Sequence, residues 1–248
     1  RTLEQRQAAW RGPLGAARSG VRTQGQVRYR DFARGIVAQR GRNASIVQGT
    51  VLRAYRNAGG VGGRLGAPLA DQHCQLLGTG CLQRFERGAI YVDPQGQRKV
   101  NVVRGRPGIA SYIAVGRSQV GYVEPSRGAS KFNAWIGNDN PWCGFFQAWV
   151  SRASGNGDWF PKAVNFRRQV AKLESRGTRI ARPRVGSVVF FDYRGWNRPS
   201  HVGFVTAVHA NGTITTLEGN TGPRNARGVK ESVRGTSQVH SYWLPREP

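Results

Sequence analysis

Three residues in this 248-residue chain have the types and the order needed for acyl transfer: Cys143, then His201, then Glu218. A thiolate attacks a carbonyl carbon, an imidazole moves the proton, and a carboxylate or amide fixes the imidazole's orientation. Cys143 sits in Asn140-Pro141-Trp142-Cys143-Gly144-Phe145-Phe146. Asn140 is expected to cap a helix and Pro141 to fill its first position, so the thiol falls in the first turn. There, unpaired backbone N–H groups and the helix dipole favour an anion. His201 opens the apolar run Val202-Gly203-Phe204-Val205, and Glu218 closes Thr213-Ile214-Thr215-Thr216-Leu217. A two-residue hairpin turn at Asn211-Gly212 sets Glu218 opposite Val205 and Asn220 opposite Gly203. Both polar residues then lie at the His201 end, and either can orient the ring.

The elements that must hold these groups are legible in the periodicity. Ile109–Val120, the run after Cys143, and Ala163–Leu173 have helical spacing, the last ending at Gly177. From Arg182 the pattern changes to strands over 185–193, 200–208, 213–218 and 239–244. Helices bearing a cysteine therefore precede an antiparallel sheet bearing a histidine, the order of a papain-like α+β core. This chemistry requires no metal and no cofactor. Cys143, His201 and His209 lack the fourth ligand and the spacing of a zinc site.

Lys plus Arg is 38 and Asp plus Glu 13, a formal net charge of +25. Residues 1–106 carry 19 basic and 5 acidic residues, and residues 107–248 carry 19 and 8, so the charge is spread along the chain. Such a surface implies an anionic partner. The chain is 38% hydrophobic with 7 Trp, 10 Phe and 7 Tyr, which is too apolar for a disordered basic tail. No stretch reaches the ~20 apolar residues of a membrane span. The 34 glycines show no period of three, which excludes collagen. The chain starts at Arg1 and has no Met, and is read as a processed product. Cys74 and Cys81 flank the flexible Gln75–Gly80 loop and are expected to form a disulfide, leaving Cys143 as a free thiol in an oxidising compartment.

Residues 1–105 read as a small repeat domain and 106–248 as the catalytic one, divided at Arg104-Gly105-Arg106-Pro107-Gly108. Leu14-Gly15-Ala16 followed by Phe32-Ala33-Arg34-Gly35 recurs as Leu65-Gly66-Ala67-Pro68 followed by Phe85-Glu86-Arg87-Gly88. Between them Ile46–Tyr55 has helical spacing and stops at Asn57-Ala58-Gly59. The second unit, with Gly88-Ala89-Ile90-Tyr91, resembles the LGFP repeat; the first lacks the proline. That resemblance implies attachment of a secreted protein to a bacterial cell wall.

Pro141-Trp142-Cys143-x-x-Phe146, then Ser200-His201-Val202-Gly203-Phe204-Val205, then Leu217-Glu218-Gly219-Asn220 together resemble the CHAP family (cysteine, histidine-dependent amidohydrolase/peptidases) and its NlpC-type relatives. The likeness extends over about 109–244 and includes Tyr122, Glu124, Phe132 and Trp135. One departure is Gly186-Ser187, where the family often has Gly-Asp. The resemblance implies that Cys143 is the nucleophile, His201 the base, Glu218 its orienting partner and Asn220 a fourth polar residue of the site. Trp142, beside the nucleophile, is expected to meet substrate. The implied activity is that of a secreted, bacteriolytic hydrolase. It would cut peptidoglycan at the N-acetylmuramoyl–L-alanine amide or within the peptide, on a wall bearing anionic polymers. Two other readings compete. One is a wall-binding or structural protein without catalysis. The other is a basic nucleic-acid binder, which calls for aromatics interleaved with basic residues on the surface; here the aromatics fall mainly in core positions.

Overall fold

Each Phe-x-x-Gly stretch turns a hairpin. In the computed structural model, which describes residues 2–246, the elements run in chain order as follows. Helix α1 is Leu3–Ala9; strands β1 to β4 are Arg22–Gln24, Val27–Phe32, Gly35–Arg40 and Asn43–Gln48; α2 is Gly49–Asn57. Strands β5 to β8 are His73–Cys74, Cys81–Phe85, Gly88–Val92 and Val100–Arg104. Helices α3 to α6 are Pro107–Ser118, Lys131–Ile136, Cys143–Ala153 and Phe166–Arg176. Strands β9 to β14 are Gly177–Ile180, Val188–Phe191, His201–Val208, Ile214–Thr221, Gly228–Arg234 and Val239–Pro245. The chain divides into two units between Ala114 and Val115, inside α3 and later than the Gly-Pro stretch before it. No helix among the described residues is long and apolar enough to cross a membrane.

The first unit is built twice from one plan. Strands β1-β2-β3-β4 and β5-β6-β7-β8 form two antiparallel meanders. Phe32 pairs Gly35 in one hairpin and Phe85 pairs Gly88 in the other. Equivalent isolated bridges, Ala17 to Phe32 and Pro68 to Phe85, tie each Leu-Gly turn to its hairpin. The helical reading of 46–55 is corrected at its start. Ile46 and Val47 belong to β4, paired with Val37 and Ile36, and the helix occupies Gly49–Asn57. A strand that runs into a helix with buried residues at both ends mimics one longer helical stripe. Tyr55 of α2 stacks on Phe85 at 4.6 Å and donates to the Gly66 carbonyl, so the helix of one repeat packs on the hairpin of the next. Cys74 and Cys81 are disulfide-bonded across the β5–β6 pair.

The second unit is a six-stranded antiparallel sheet, β13-β12-β11-β10-β14-β9, with α5 on one face. β10 is Val188-Val189-Phe190-Phe191, buried at every position. Phe190 meets Phe160 and Phe166, while Val189 and Phe191 join Val205, Ile214 and Tyr242 in a core cluster. A strand covered on both faces loses its polar alternation. Two strands, β9 and β13, extend the sheet beyond those legible from the periodicity. Ser187, at the departure from the family pattern, is buried and closes the turn before β10 through its hydroxyl and the Arg184 backbone.

The β11–β12 register differs from the two-residue turn. Phe204 pairs Leu217, which sets Glu218 against Gly203 rather than Val205. The connection is wider than two residues, with His209 N–H donating to Thr213 O, and a bulge falls between Val205 and Ala207. A bulge adds one residue to one strand and moves every later pairing along.

Candidate active site

Helix α5 begins at Cys143, two residues later than Pro141 implies. Asn140 does not cap it. Its N–H donates to the Asn138 side chain and its carbonyl accepts from Asn133 Nδ2, so it belongs to the preceding loop. Trp142 holds the cap position without a side-chain bond. The first helical bond runs from Phe146 N–H to Trp142 O, so the Cys143 N–H lies ahead of the helix ladder and is left for another acceptor.

Trp142 anchors this start from the core side. It is 1% exposed, stacks on Phe132 at 5.2 Å and donates its indole N–H to Glu124 Oε2 at 2.9 Å. Glu124 also accepts from the Gly128 N–H. Trp142, expected to meet substrate, lines the cleft together with Cys143, and this packing and hydrogen bond hold its ring in place. Opposite the helix, Gly219 of β12 is a point of close approach. A Cβ there would lie 2.5 Å from Phe146 Cβ and 2.8 Å from the Trp142 ring. The glycine of Leu-Glu-Gly-Asn is what lets α5 lie down on the strand that carries Glu218.

Cys143 is 3% exposed and is the free cysteine among the described residues. His201 is 9% exposed at the start of β11, its ring stacked with Phe191 and Tyr193. Its Nε2 lies 2.8 Å from Glu218 Oε2. With Nε2 engaged, Nδ1 is the nitrogen left for Cys143. Burial alone would lower the His201 pKa. Hydrogen bonding and charge from Cys143 and Glu218 outweigh it and hold the imidazole at about 9, so the ring favours the cation.

Glu218 is fully buried. Its carboxylate takes Thr216 Oγ1 at 2.5 Å, Arg234 Nε at 2.8 Å and Arg234 Nη2 at 2.7 Å in addition to His201. Burial raises its pKa, but the bonds from Arg234, His201 and Thr216 win and bring it to about 2. The group is therefore a fixed anion at neutral pH. Asn220 lines the same cleft as Cys143 and His201. It has a positive φ of 56°, in a bulge between Glu218 and Thr221 where the β12–β13 register shifts. Among the described residues its side chain makes no hydrogen bond to the imidazole, whose Nε2 is taken by Glu218.

Arg234, Thr216 and Tyr193 complete the site, and the motifs did not point to them. Arg234 lies on β13, a strand whose Lys230-Glu231-Ser232-Val233-Arg234 run has no apolar stripe to reveal it. The cleft around Cys143 and His201 has a volume of about 700 Å³, and a second, smaller apolar cavity of about 220 Å³ also reaches Cys143. No group of three or more His, Cys, Asp or Glu suited to a metal occurs among the described residues.

Residues 135–220 match the CHAP domain, which takes in Cys143, His201 and Glu218 and stops short of Arg234. Residues 65–114 match the LGFP repeat, covering the second of the two meanders. No curated protein matches the chain. The chain thus carries a CHAP domain preceded by an LGFP repeat.

Proposed function

We propose that this chain hydrolyses an amide or peptide bond of bacterial peptidoglycan with Cys143 as nucleophile, His201 as base and acid, and Glu218 as the group that orients His201. A CHAP domain implies a peptidoglycan hydrolase of the amidase or peptidase kind. The observation that carries the residue roles is the meeting of Cys143 and the His201–Glu218 pair in one cleft.

His201 stabilises the Cys143 thiolate, which attacks the substrate carbonyl. The Cys143 N–H is placed to donate to the oxyanion that forms. The imidazolium gives its proton to the leaving amine, and the acyl group remains on sulfur as a thioester. Neutral His201 then draws a proton from water, and hydroxide equivalent attack frees the acid and restores the thiolate. Glu218 stays ionised throughout and stabilises the imidazolium. Asn220 serves as a further polar lining of the cleft.

The repeat unit and the net charge of +25 support a second part of the reading. Residues 1–105 hold the enzyme on the wall and 106–248 cut it, outside the cell, where anionic wall polymers attract the basic surface. The disulfide fits an oxidising compartment.

The test is to incubate purified wall sacculi with the protein and with Cys143→Ala and to identify the fragments. Cys143-dependent release of new N-termini supports the reading. A new N-terminal alanine with an intact muramic lactyl acid marks the amidase, and any other new terminus marks the endopeptidase. Equal fragment release by both proteins, or by neither, overturns it.

A further inference from the structure

The cleft beside Cys143 is lined unequally in charge. Arg127 comes from the loop before α4, Arg194 from the β10–β11 loop, and Arg224 and Arg227 from the β12–β13 turn. A fifth arginine, Arg234, is spent on Glu218. Among the described residues none of the other four makes an ion pair. The carboxylates on the same lining are Glu124, which is occupied by Trp142 and Gly128, and the exposed Asp139.

Two of the four are held in place. Arg194 lies over the Trp196 ring at 4.6 Å, on a loop whose backbone N–H groups at 194, 196 and 197 all donate to Asp192. Arg227 is half-buried and its guanidinium reaches the Asn220 carbonyl. Three separate segments thus contribute arginines without an ion-pair partner to the lining of the cleft that holds Cys143. The other cavity that touches Cys143 is different: Pro141, Phe145, Val164 and Phe166 line it, and no arginine does.

We propose that Arg127, Arg194, Arg224 and Arg227 form an anion subsite beside Cys143 that selects peptides carrying a carboxylate next to the scissile bond. This rests on the hydrolase reading above for its substrate, but not for the subsite itself. Guanidinium groups form bidentate, charge-assisted bonds to carboxylates, and these strengthen in a cleft partly shielded from water. A peptide therefore lies with its charged group toward the arginines and a small uncharged group in the apolar cavity, which fixes its direction across the thiol.

The test separates the subsite from the reaction. Cys143 is alkylated with iodoacetate, an anion, and with iodoacetamide, its neutral counterpart; in both, sulfur displaces iodide. The ratio of the two rates is compared with that of free cysteine. An anion subsite raises the ratio roughly tenfold, and Arg224→Gln with Arg227→Gln lowers it back by a similar factor. Arg127→Gln, on another segment, lowers it independently of any change in the β12–β13 turn. A wild-type ratio equal to that of free cysteine, or a ratio untouched by all three substitutions, overturns the proposal. A second arm compares kcat/KM for soluble wall peptides with the carboxylate free or amidated. The wild type should favour the free acid, and the substitutions should shrink that preference. If neither peptide is cut, the hydrolase reading fails while the alkylation ratio still decides the subsite. Protection of the thiol by inorganic phosphate with no preference between the two peptides would assign the arginines to a phosphate and overturn the carboxylate.

Discussion

Arg234 grips both oxygens of the Glu218 carboxylate, Nε on Oε1 at 2.8 Å and Nη2 on Oε2 at 2.7 Å. The same Oε2 takes His201 Nε2. The carboxylate that holds His201 is thus itself held, from a strand that lies outside the CHAP match. Removing one partner of a buried ion pair leaves the other charge uncompensated. Arg234→Gln should destabilise the protein by about 3 kcal/mol, read as a lower midpoint in urea. It should also cost activity in the molecules that remain folded, because the imidazole loses its fixed support. An unchanged midpoint would show that Glu218 keeps its charge without Arg234.

The pH dependence of stability follows from His201 and Glu218 together. Glu218 has its pKa depressed from 4.5 to about 2, so its contribution is present above 4.5 and is lost as pH falls through about 2. His201 has its pKa raised from 6.5 to about 9, so its contribution is complete below 6.5 and is lost as pH rises through about 9. Both are fully present between 4.5 and 6.5, where thermal unfolding should be latest as far as these two groups govern it. Glu218→Gln removes the anion that helps hold His201 protonated. Its alkaline limb of kcat/KM should move to lower pH than that of the wild type. A limb that stays in place would mean that Glu218 does not set the protonation of His201.

Gly219 tests whether the seat of α5 governs the chemistry. The absent Cβ leaves room for Phe146 and Trp142, whose neighbour is Cys143. Gly219→Ala forces the helix off the strand and should cost about 1–3 kcal/mol as overpacking. Turnover should fall more than substrate binding, since the thiol moves relative to a histidine fixed on β11. Thermal melts and steady-state kinetics measure the two effects, and a variant as stable and as fast as wild type would show that the helix has slack there.

How much of this was legible beforehand depends on how local the cause is. Cys143, His201 and Glu218 each sit in a short motif with its own turn or cap chemistry, so their meeting could be inferred from the order of helix and strands. Asn140-Pro141 has the composition of a cap and so points to a start two residues before the observed one, because Asn133 draws Asn140 into the loop. The place of Trp142 next to the thiol points to the cleft, which it lines; its burial depends on Phe132 and Glu124, which are ten and eighteen residues away. The bulge in β11 and the pairing of β13 are tertiary facts with no periodic trace, so Arg234 and the exact opposite number of Glu218 needed coordinates. In the repeat unit the internal duplication carried more information than periodicity did. The Phe-x-x-Gly hairpins recur at equivalent places in both meanders, whereas Ile46 and Val47 read as helix and are strand.

The bridge between Cys74 and Cys81 leaves one thiol in the chain. Titration of the unfolded, unreduced protein should therefore find a single thiol, and prior alkylation of Cys143 should reduce that to none. Closing so short a loop stabilises the first unit by roughly 2–3 kcal/mol in the chain-entropy account. Reduction should lower its unfolding midpoint accordingly. A count of three thiols in material purified without reductant would remove the bond as support for an oxidising compartment and leave the site at Cys143 unaffected.

Salt separates wall retention from catalysis. Under the proposed wall retention, a charge of +25 would attract an anionic wall over distances that ions screen, with a decay length of ~8 Å at physiological ionic strength. The bonds that define the site are of another kind: Glu218 is fully buried and His201 nearly so, and close buried pairs are screened far less. Raising salt should therefore release the protein from sacculi and slow hydrolysis of intact walls. Turnover of a small soluble wall peptide that carries no net charge should change little over the same range. Sedimentation with sacculi measures the first effect and fragment release the second, on the full chain in both cases. Loss of rate on both substrates in parallel would place the salt-sensitive charges at the site or in the fold. A rate on walls indifferent to salt would show that retention rests on short-range contacts of the repeat unit, and that the surface arginines serve solubility instead.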